Sequence, residues 1–404
     1  MQAEYDIIIV GGGLTGASLA SCLAETPVRI AVVEAVSINS GRQPSYDEKG
    51  LALSLSSQRI FNAIGVWQEL RHHAIPIEHI HVSDRGRFGF VRLHAEEAGL
   101  PALGYVVIAR ELGAALLARM AAASKVDFIC PAEVTAVNQL ADGVSVVIDK
   151  EGNRETLSGK LLVAAQGSHS PLREEAGIRV VTKDYQQTAI VCNVTPEKPH
   201  ANTAYERFTG SGPLALLPLS EQRCAVVLTV HNGDKERFLA MPDTEFLSEL
   251  ERRFGRRLGR FTKAGRRRSY PLVLMVTEEQ VRDRTVFLGN AVHTIHPNGA
   301  QGFNLCLRDV AGLAETLTGA VRDGLDPGRV EVLESYFAAR RADQRRVIRF
   351  SDSLAEIFYK PGPVKALARN AGMLLTDLAP GIKTELITRA TGLGGGQPRM
   401  VYGP

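Results

Sequence analysis

Three glycines near the start of the chain have the spacing of a phosphate-binding turn. Gly11, Gly13 and Gly16 form a GxGxxG pattern, directly after the strand-like run YDIIIV and at the start of a helical pattern. In such a turn the first glycine permits a tight bend, the second lets a pyrophosphate approach the backbone, and the third allows close packing of helix and strand. Glu34 ends the next strand pattern, where a carboxylate accepts hydrogen bonds from ribose hydroxyls. The pattern predicts a dinucleotide site with the phosphates at the helix N-terminus.

Two further glycine-containing segments, 161–173 and 286–310, also run from a strand pattern into a helix pattern. FAD and NAD both fit the first turn, so that turn alone does not distinguish them. A cofactor that three separate turns contact is long and extended, as FAD is, and a site for NAD alone does not need the third segment. The sequence therefore favours FAD.

Two histidines, His293 and His296, have a spacing that would place them on one face of a helix. Pro297 follows directly, and no third ligand of a suitable type is near them in the sequence. We therefore predict no metal site and expect each histidine to form structural hydrogen bonds. The five cysteines lie far apart without a CxxC pair, which predicts buried free thiols.

The elements that position these residues begin with a βαβ unit in the first 35 residues, which is typical of an α/β domain. At roughly 150 residues per domain, 404 residues predict two or three domains. The predicted fold class is α/β: a Rossmann-like FAD-binding domain of the glutathione-reductase type, a β-sheet substrate domain and a helical C-terminal tail. The expected boundaries are 1–70, 101–180 and 279–345 for the FAD-binding domain, 71–100 and 181–278 for the substrate domain, and 346–404 for the tail.

Longer motifs show a resemblance to a known family. The chain resembles the class A flavoprotein monooxygenases, or FAD-dependent aromatic hydroxylases, and most closely the 2-polyprenyl-6-methoxyphenol hydroxylases of ubiquinone biosynthesis. The matching stretches include HVSDRGRFGFVRL (81–93), AYERFTGSGPLALLPL (204–219), FGRRLGR (254–260), and GNAVHTIHP with QGFNL (289–305). The resemblance covers nearly the full length, and the stretches that begin at 81, 204 and 254 are specific to the ubiquinone branch.

This resemblance implies an enzyme, an oxidoreductase that binds FAD and uses NAD(P)H and O2. The implied reaction is hydroxylation of a prenylated methoxyphenol through a flavin C4a-hydroperoxide. Two alternatives stay open: a flavin-binding, weakly catalytic component of a ubiquinone-biosynthesis assembly, and an FAD-dependent isoprenoid reductase. The implied partners are a polyprenyl phenol, O2 and other ubiquinone-biosynthesis proteins, with no nucleic acid.

The family's functional residues can be carried over to this sequence one by one. The resemblance implies that the flavin itself performs the catalysis, and that the loop with Pro297 and Gly302 positions it. The implied cofactor contacts are Gly11, Gly13, Gly16, Glu34, Lys49, Arg110, Gln166, Gly167, Gly289, Asn290, Pro297, Gly302, Phe303 and Asn304. Substrate contacts are expected at Tyr205, Phe208, Pro213 and Leu216.

Three residues depart from the family pattern. Gln166 replaces an aspartate, which removes a charge but keeps hydrogen-bonding capacity. Lys49 replaces an arginine and lacks its bidentate fork. Ala300 replaces a glycine and restricts the backbone at that position. Gln166 and Ala300 motivate the weakly catalytic alternative.

The charge is unevenly distributed along the chain. Residues 252–268 hold nine basic side chains and no acid, so the remainder, with 38 basic and 44 acidic residues, carries a net charge of −6. The basic run is either a solvated face or a surface that docks on anionic lipid headgroups or an acidic protein. With only Phe254 and Phe261 interleaved, it does not indicate nucleic-acid binding.

The C-terminal region carries an apolar helical stripe, here called the C-terminal stripe, for which two interpretations are open. It either packs on the FAD-binding domain or attaches the protein to a membrane surface. The chain has no secretory signal pattern, and its best candidate for an apolar span, the uncharged run 99–109, is too short to cross a bilayer. We expect a cytoplasmic protein, peripheral on the inner face of the cytoplasmic membrane if the second interpretation holds. The stripe consists of Val364, Leu367, Ala368, Ala371, Leu375 and Leu378.

Overall fold

The computed structural model describes residues 4–40, 48–358 and 363–403. Its strands are β1 (Tyr5–Val10), β2 (Ile30–Val33), β3 (Gly50–Ser54), β4 (Ile75–Ile77), β5 (His79–Asp84), β6 (Phe90–His94), β7 (Gly104–Ile108), β8 (Val126–Ile129), β9 (Glu133–Leu140), β10 (Gly143–Lys150), β11 (Asn153–Ala164), β12 (Val180–Pro196), β13 (Thr203–Thr209), β14 (Gly212–Pro218), β15 (Cys224–His231), β16 (Phe261–Ala264), β17 (Arg268–Thr277), β18 (Val281–Arg282), β19 (Thr285–Phe287) and β20 (His293–Thr294). Its helices are α1 (Leu14–Leu23), α2 (Leu55–Ala63), α3 (Trp67–Leu70), α4 (Ala109–Ala121), α5 (Pro171–Glu175), α6 (Lys235–Ala240), α7 (Asp243–Phe254), α8 (Gln301–Arg322), α9 (Val330–Phe358), α10 (Pro363–Leu378) and α11 (Pro380–Ala390).

The first sheet has a parallel centre. Strand β1 pairs in parallel with β2 on one side and with β11 on the other, and β8 and β19 extend the sheet outward. Ile7, Ile8 and Ile9 are fully buried because the sheet is covered on both faces, and parallel strands of this kind are apolar along their whole length. Helices α1, α4 and α8 pack together on one face. The βαβ opening and the α/β class predicted from the sequence are confirmed.

The second sheet is largely antiparallel and runs in the order β20, β17, β12, β15, β14, β13, β5 and β6. Burial alternates along β14, as expected for a strand whose two faces meet different partners. One face packs against α6 and α7, through Phe238, Phe246, Leu250 and Phe254. The other face is therefore left to form the wall of an internal cavity.

Sheet membership supports the domain division proposed from the sequence. The first sheet takes strands from 5–33, 126–164 and 281–287, and the second takes most of its strands from 79–94 and 180–277. Two short strands cross the proposed boundaries: β4 joins β3 and β7 in a small third sheet, and β20 pairs with β17. We retain the division as a proposal, with these two strands as links between its parts.

The C-terminal helices lie against the second sheet. Helix α10 packs on β6 with Ala366, Asn370 and Met373, and Asp377 accepts a hydrogen bond from the Arg92 guanidinium at 3.0 Å. Its opposite side exposes three members of the C-terminal stripe: Leu367, Leu375 and Leu378 are 61%, 62% and 68% exposed. The side chain of Val364 lies outside the described residues. These three leucines do not pack on the FAD-binding domain. No helix within the described ranges is both long enough and apolar enough to span a membrane.

The five cysteines are free thiols, as predicted. Cys192, Cys224 and Cys306 are buried, whereas Cys22 and Cys130 are partly exposed. Burial raises the pKa of the Cys192 thiol to about 12, so this side chain stays protonated and acts as a small apolar group.

Candidate active site

A large cavity of about 2060 Å³ lies where the first sheet, the second sheet and the C-terminal helices meet. Sites for a single small ligand usually enclose about 300–1,000 Å³. This cavity therefore has room for a cofactor and a second molecule. The three predicted glycine turns, strands of the second sheet and residues of α9 to α11 all line it.

The GxGxxG turn is as tight as its sequence predicts. Gly11 has a φ of +104°, and a Cβ there would lie 2.6 Å from the carbonyl oxygen of Ala165. A Cβ on Gly16 would lie 1.9 Å from the carbonyl oxygen of Gly11. Gly13 caps the N-terminus of α1 without a side chain and lines the cavity. The glycines thus leave free backbone N–H groups at the end of a helix open to an anionic group.

The carboxylate of Glu34 is buried beside this turn. It accepts hydrogen bonds from the backbone N–H groups of Gly12, at 2.7 Å, and Val36, at 2.8 Å. A carboxylate has about four acceptor positions, so two remain for a ligand. Because Glu34 also lines the cavity, its position agrees with the proposed ribose contact.

The second turn places Gln166 and Gly167 on the cavity wall. The side-chain oxygen of Gln166 accepts a hydrogen bond from the Ser170 hydroxyl at 3.0 Å, next to the N-terminus of α5. Sequence reasoning missed Arg173, a buried neighbour whose guanidinium donates to the carbonyls of Ser168, at 3.0 Å, and Ala291, at 3.2 Å. Arg173 therefore ties the second turn to the third.

The third turn and the following loop complete this end of the cavity. Gly289 has a φ of +66° and packs on Thr15 of α1, where a Cβ would lie 2.8 Å from the threonine methyl carbon. Asn290, Pro297 and Gly302 line the cavity. Among the described residues, a Cβ on Gly302 would approach only Ile295, at 3.7 Å. The absence of a side chain on Gly302 therefore mainly keeps the start of α8 open to the cavity.

Asn304 fixes this loop through all four of its side-chain hydrogen bonds. Its oxygen accepts from the Ser54 backbone, at 2.8 Å, and the Ser57 hydroxyl, at 2.7 Å. Its nitrogen donates to the carbonyls of Ala52, at 3.0 Å, and Ala300, at 2.7 Å. The predicted cofactor contact is therefore a structural tie between the loop and β3, although the residue lies on the cavity wall. Phe303 beside it also lines the cavity.

A buried network of charges lies behind the loop. Asp309 accepts hydrogen bonds from His293 at 2.8 Å, Arg340 at 2.8 Å and Gln344 at 3.0 Å. Asp343 bridges Arg340, at 2.6 Å, to Arg308, at 2.9 Å. Burial acts to raise the pKa of Asp309, but the neighbouring Arg340 and His293 act more strongly to lower it. The pKa of Asp309 is therefore below its ordinary value. The network joins the third turn, α8 and α9.

Both histidines have the structural contacts predicted for them. His293 donates through Nε2 to the Asp309 carboxylate in the network, and His296 accepts a weak hydrogen bond from the Asn298 backbone through Nδ1, at 3.4 Å. Burial lowers the pKa of His296 to about 4, which keeps it neutral. Among the described residues, no group of three metal-ligating side chains surrounds either histidine.

Among the other predicted residues, Lys49 meets the cavity as expected, whereas Arg110, Leu216 and the ring of Tyr205 do not. Lys49 lines it, with its ammonium 4.9 Å from the centre of the Tyr270 ring. Arg110 does not: its exposed guanidinium pairs with Glu48 and Glu111, because these two carboxylates flank the first turn of α4. Leu216 and the ring of Tyr205 occupy the opposite face of the second sheet, where both pack with Phe254 in the core under α7.

The residues that do face the cavity from β13 and β14 follow the two-residue alternation of a strand. They are Ala204, Glu206 and Phe208 on β13, and Pro213, Ala215 and Leu217 on β14. Phe208 stacks on Phe358 of α9. Sequence reasoning missed Glu206, although strict alternation from Phe208 would have found it. Burial raises the pKa of Glu206 to about 7, with hydrogen bonding from the Gly299 N–H acting in the opposite direction.

The wall of the cavity is suited to an extended dinucleotide. A Cβ on Gly11 or Gly16 of the first turn would collide with neighbouring backbone, and the side-chain amide of Asn298, which is 2% exposed, has no hydrogen-bond partner within the described residues. Buried amides of this kind normally have hydrogen-bond partners, so the unpaired group on the cavity wall fits the polar edge of a bound ring.

Comparisons with known proteins agree with this geometry. The family model described as FAD binding domain matches residues 4–351, and the chain belongs to this family of FAD-dependent oxidoreductases. The ubiquinone hydroxylase UbiL of Rhodospirillum rubrum is 37% identical over 98% of this chain and 92% of its own length. The 3-demethoxyubiquinol 3-hydroxylase of Escherichia coli is 30% identical over 96% and 98%. The family resemblance predicted from the sequence is confirmed, and FAD is the cofactor.

Solved structures show the same fold. The p-nitrophenol 4-monooxygenase PnpA of Pseudomonas putida aligns with a TM-score of 0.81 over 96% of this chain and 98% of its own, at 16% identity. PqsL of Pseudomonas aeruginosa, described as a probable FAD-dependent monooxygenase, aligns with a TM-score of 0.74 over 92% and 99%, at 21% identity. At these identities the likeness extends to the fold alone.

Ala300 provides a test of the loop. It has a φ of +53°, which costs a residue with a Cβ roughly 1–2 kcal/mol. The Ala300→Gly variant is expected to be more stable by about 0.5–1 kcal/mol, because the relieved strain exceeds the added entropy of the unfolded chain. Urea unfolding measures the difference. As a control, Ala118→Gly on the exposed side of α4 should lose about 1 kcal/mol, and equal losses in both variants would contradict the assignment of strain.

Proposed function

We propose that the protein is an FAD-dependent monooxygenase that hydroxylates a prenylated methoxyphenol in ubiquinone biosynthesis. The observation that carries this proposal is the continuous cavity, which connects the glycine turns to a predominantly apolar wall. The relatives named above, a ubiquinone hydroxylase and a demethoxyubiquinol hydroxylase, support the substrate class.

The chain's own residues have supporting roles in this reaction. The first turn and Glu34 would hold the ADP half of FAD, and the loop from Pro297 to Gly302 would lie beside its ring. When bound and reduced by NAD(P)H, FAD supplies the activation of O2 for transfer to an aromatic ring. The N-terminus of α8 points free N–H groups toward the cavity, where they stabilise negative charge. The apolar walls exclude water from the ring-binding space.

The part of the cavity that the second sheet and α9 line suits a prenyl chain. Val82 and Val91 contribute apolar surface from the second sheet, and Leu354, Ile357 and Phe358 continue it along α9. An apolar channel of this length contributes binding free energy in proportion to the area that it removes from water. We propose that the ring lies near the loop and that the prenyl chain extends toward α9.

Activity on a prenylphenol tests the proposal. Purified protein should show flavin absorbance that denaturation releases, and should couple NAD(P)H oxidation to O2 consumption and to a hydroxylated product. An isoprenoid reductase would form product without stoichiometric O2 consumption. A weakly catalytic assembly component would retain flavin with little prenylphenol-dependent turnover. Either result would overturn the proposed reaction.

We also propose that the protein attaches peripherally to the inner face of the cytoplasmic membrane. The exposed C-terminal stripe supports this, and Ile382 of α11 adds a further side chain that is 54% exposed. The basic run contributes less charge than its sequence indicates. Arg252 and Arg253 pair with Glu249 at 2.6 Å, and Arg267 pairs with Asp243 at 2.9 Å.

Liposome binding tests the stripe. The Leu375→Gln and Leu378→Gln double variant is expected to bind vesicles at least about tenfold more weakly, because two exposed leucines no longer enter the lipid interface. Sedimentation with vesicles of phosphatidylglycerol and phosphatidylethanolamine measures this. Leu140→Gln, which replaces an exposed leucine on β9, is the control and should bind as the wild type does. Equal binding by all three proteins would remove the stripe as the attachment surface.

A further inference from the structure

Glu206 is an acidic side chain in the middle of an otherwise apolar stretch of wall. It lies opposite Val82 of β5 and Ala215 of β14 in the sheet register, and Val227 of β15 lies beyond Ala215. These neighbours line the same cavity and carry no polar side-chain atom. A carboxyl group in such surroundings is costly unless it has a hydrogen-bonding role.

Most of the other acids on the cavity wall have structural partners. Glu34 accepts from two backbone N–H groups, Asp343 pairs with Arg308 at 2.9 Å, and Glu385 pairs with Arg389 at 2.7 Å. Within the described residues no cation pairs with Glu206. Hydrogen bonding from the Gly299 N–H leaves further acceptor positions on the carboxyl group. Glu206 is thus an acid on this wall with hydrogen-bonding capacity available to a ligand.

The contact with Gly299 also locates the carboxyl group. Gly299 belongs to the loop between Pro297 and Gly302, so the carboxyl group is at the junction between this loop and the apolar channel. A ligand with an aromatic ring beside the loop and an apolar chain in the channel would place the polar substituents of its ring near Glu206. Phe208, two residues along the same face of β13, would lie on the channel side.

We propose that Glu206 binds a ring hydroxyl of the substrate and so orients the ring against the loop. This inference rests on the proposed function, because it takes the ligand to be a phenol. The carboxylate accepts the hydrogen bond of the hydroxyl group while the Gly299 N–H holds the carboxylate in place. A hydrogen bond to a charged acceptor is stronger than one to a neutral acceptor, and a ligand without the donor would leave the carboxylate unpaired in an apolar wall.

Discrimination between a phenol and its methyl ether tests this contact. The wild-type holoenzyme is expected to bind 2-prenylphenol roughly 10- to 100-fold more tightly than 2-prenylanisole, since only the phenol donates a hydrogen bond. Titration of each compound against the flavin absorbance spectrum gives the dissociation constants without turnover. A wild-type protein that binds both compounds equally would overturn the proposal without any variant.

Two variants assign the discrimination to Glu206. Glu206→Leu should retain flavin and lose the preference for the phenol, because it removes both the hydrogen bond to the phenol and the cost of an unpaired carboxylate beside the ether. Glu206→Gln keeps a neutral acceptor and should retain a reduced preference. Glu155→Gln on β11, exposed and paired with Lys150 at 2.7 Å, is the matched control and should behave as the wild type does.

The outcomes separate the two levels of inference. A phenol preference that persists in Glu206→Leu overturns the role of Glu206 and leaves the proposed function standing. A wild-type holoenzyme that binds and hydroxylates no prenylphenol overturns the proposed function, and the inference with it. If both variants lose flavin, the wild-type comparison of phenol and ether still decides whether a hydroxyl contact exists, and its absence counts against Glu206.

Discussion

The Gly16→Ala variant is expected to lose FAD and to be destabilised by about 3 kcal/mol or more. The added Cβ would lie 1.9 Å from the carbonyl oxygen of Gly11 and 3.1 Å from a methyl carbon of Ile9. Neither neighbour can move freely, because one is backbone in the turn itself and the other belongs to the central strand β1. The helix must therefore shift away from the strand, which disturbs both the packing and the phosphate-binding N–H groups.

Flavin content and urea unfolding of the purified variant measure the two effects. Gly319→Ala is the matched control, since it is also a helical glycine but its Cβ would meet no other atom within 4 Å. That substitution should keep full flavin content and is expected to raise stability by up to about 1 kcal/mol. A Gly16→Ala protein with normal flavin content and stability would contradict the close packing of α1 on β1.

The Asp309→Ala variant is expected to lose about 3–5 kcal/mol of stability. Asp309 is buried and holds Arg340, His293 and Gln344 by hydrogen bonds of 2.8 to 3.0 Å. Its removal leaves Asp343 as the remaining counter-charge for both Arg340 and Arg308, so that the buried network carries excess positive charge. Because the network ties the third turn to α8 and α9, the variant should also bind FAD more weakly.

Urea unfolding again measures the loss, and Asp323→Ala gives the comparison. Asp323 follows the same helix and forms an exposed pair with Arg322 at 3.1 Å, which contributes at most about 1 kcal/mol. The pKa of Asp309 in the folded protein is lower than the ordinary pKa of an aspartate. Its contribution is therefore present above the ordinary pKa of an aspartate and is lost as the pH falls through the folded value. Comparable losses in both variants would argue against the network.

The glycine turns were predictable from the sequence because their requirement is local. Gly11, with its positive φ, and Gly16, with its contact inside one turn, depend on residues within a few positions along the chain. The βαβ order around them follows from apolar periodicity in the same short window. Together these signals were sufficient for the α/β class and for the FAD end of the site.

The substrate wall was predicted less well because successive residues of a strand point to opposite faces of its sheet. Tyr205 and Phe208 differ by three positions, and so do Pro213 and Leu216, so neither pair can share one face of a strand. In the structure Phe208 and Pro213 face the cavity, and Leu216 faces the opposite core. Glu206 was overlooked for the same reason.

Other parts of the site depend on contacts between distant segments. Asp309 meets Arg340 and Gln344 from another helix, and Asn304 meets Ser54 across most of the chain. No local pattern specifies such partners. The exposure of the C-terminal stripe likewise depends on which side of α10 packs on β6, since both sides carry apolar residues.

The position of the C-terminal helices affects how a prenyl substrate would reach the site. Phe350 and Ile357 of α9 line the cavity and are also exposed, and α10 contributes Thr376 to the same cavity beside the exposed Leu375. The apolar end of a substrate could therefore remain dissolved in lipid while its ring enters the protein. The effective substrate concentration would then be its mole fraction in the bilayer. Adding inert lipid at a constant bulk concentration of substrate would lower this mole fraction and so slow turnover.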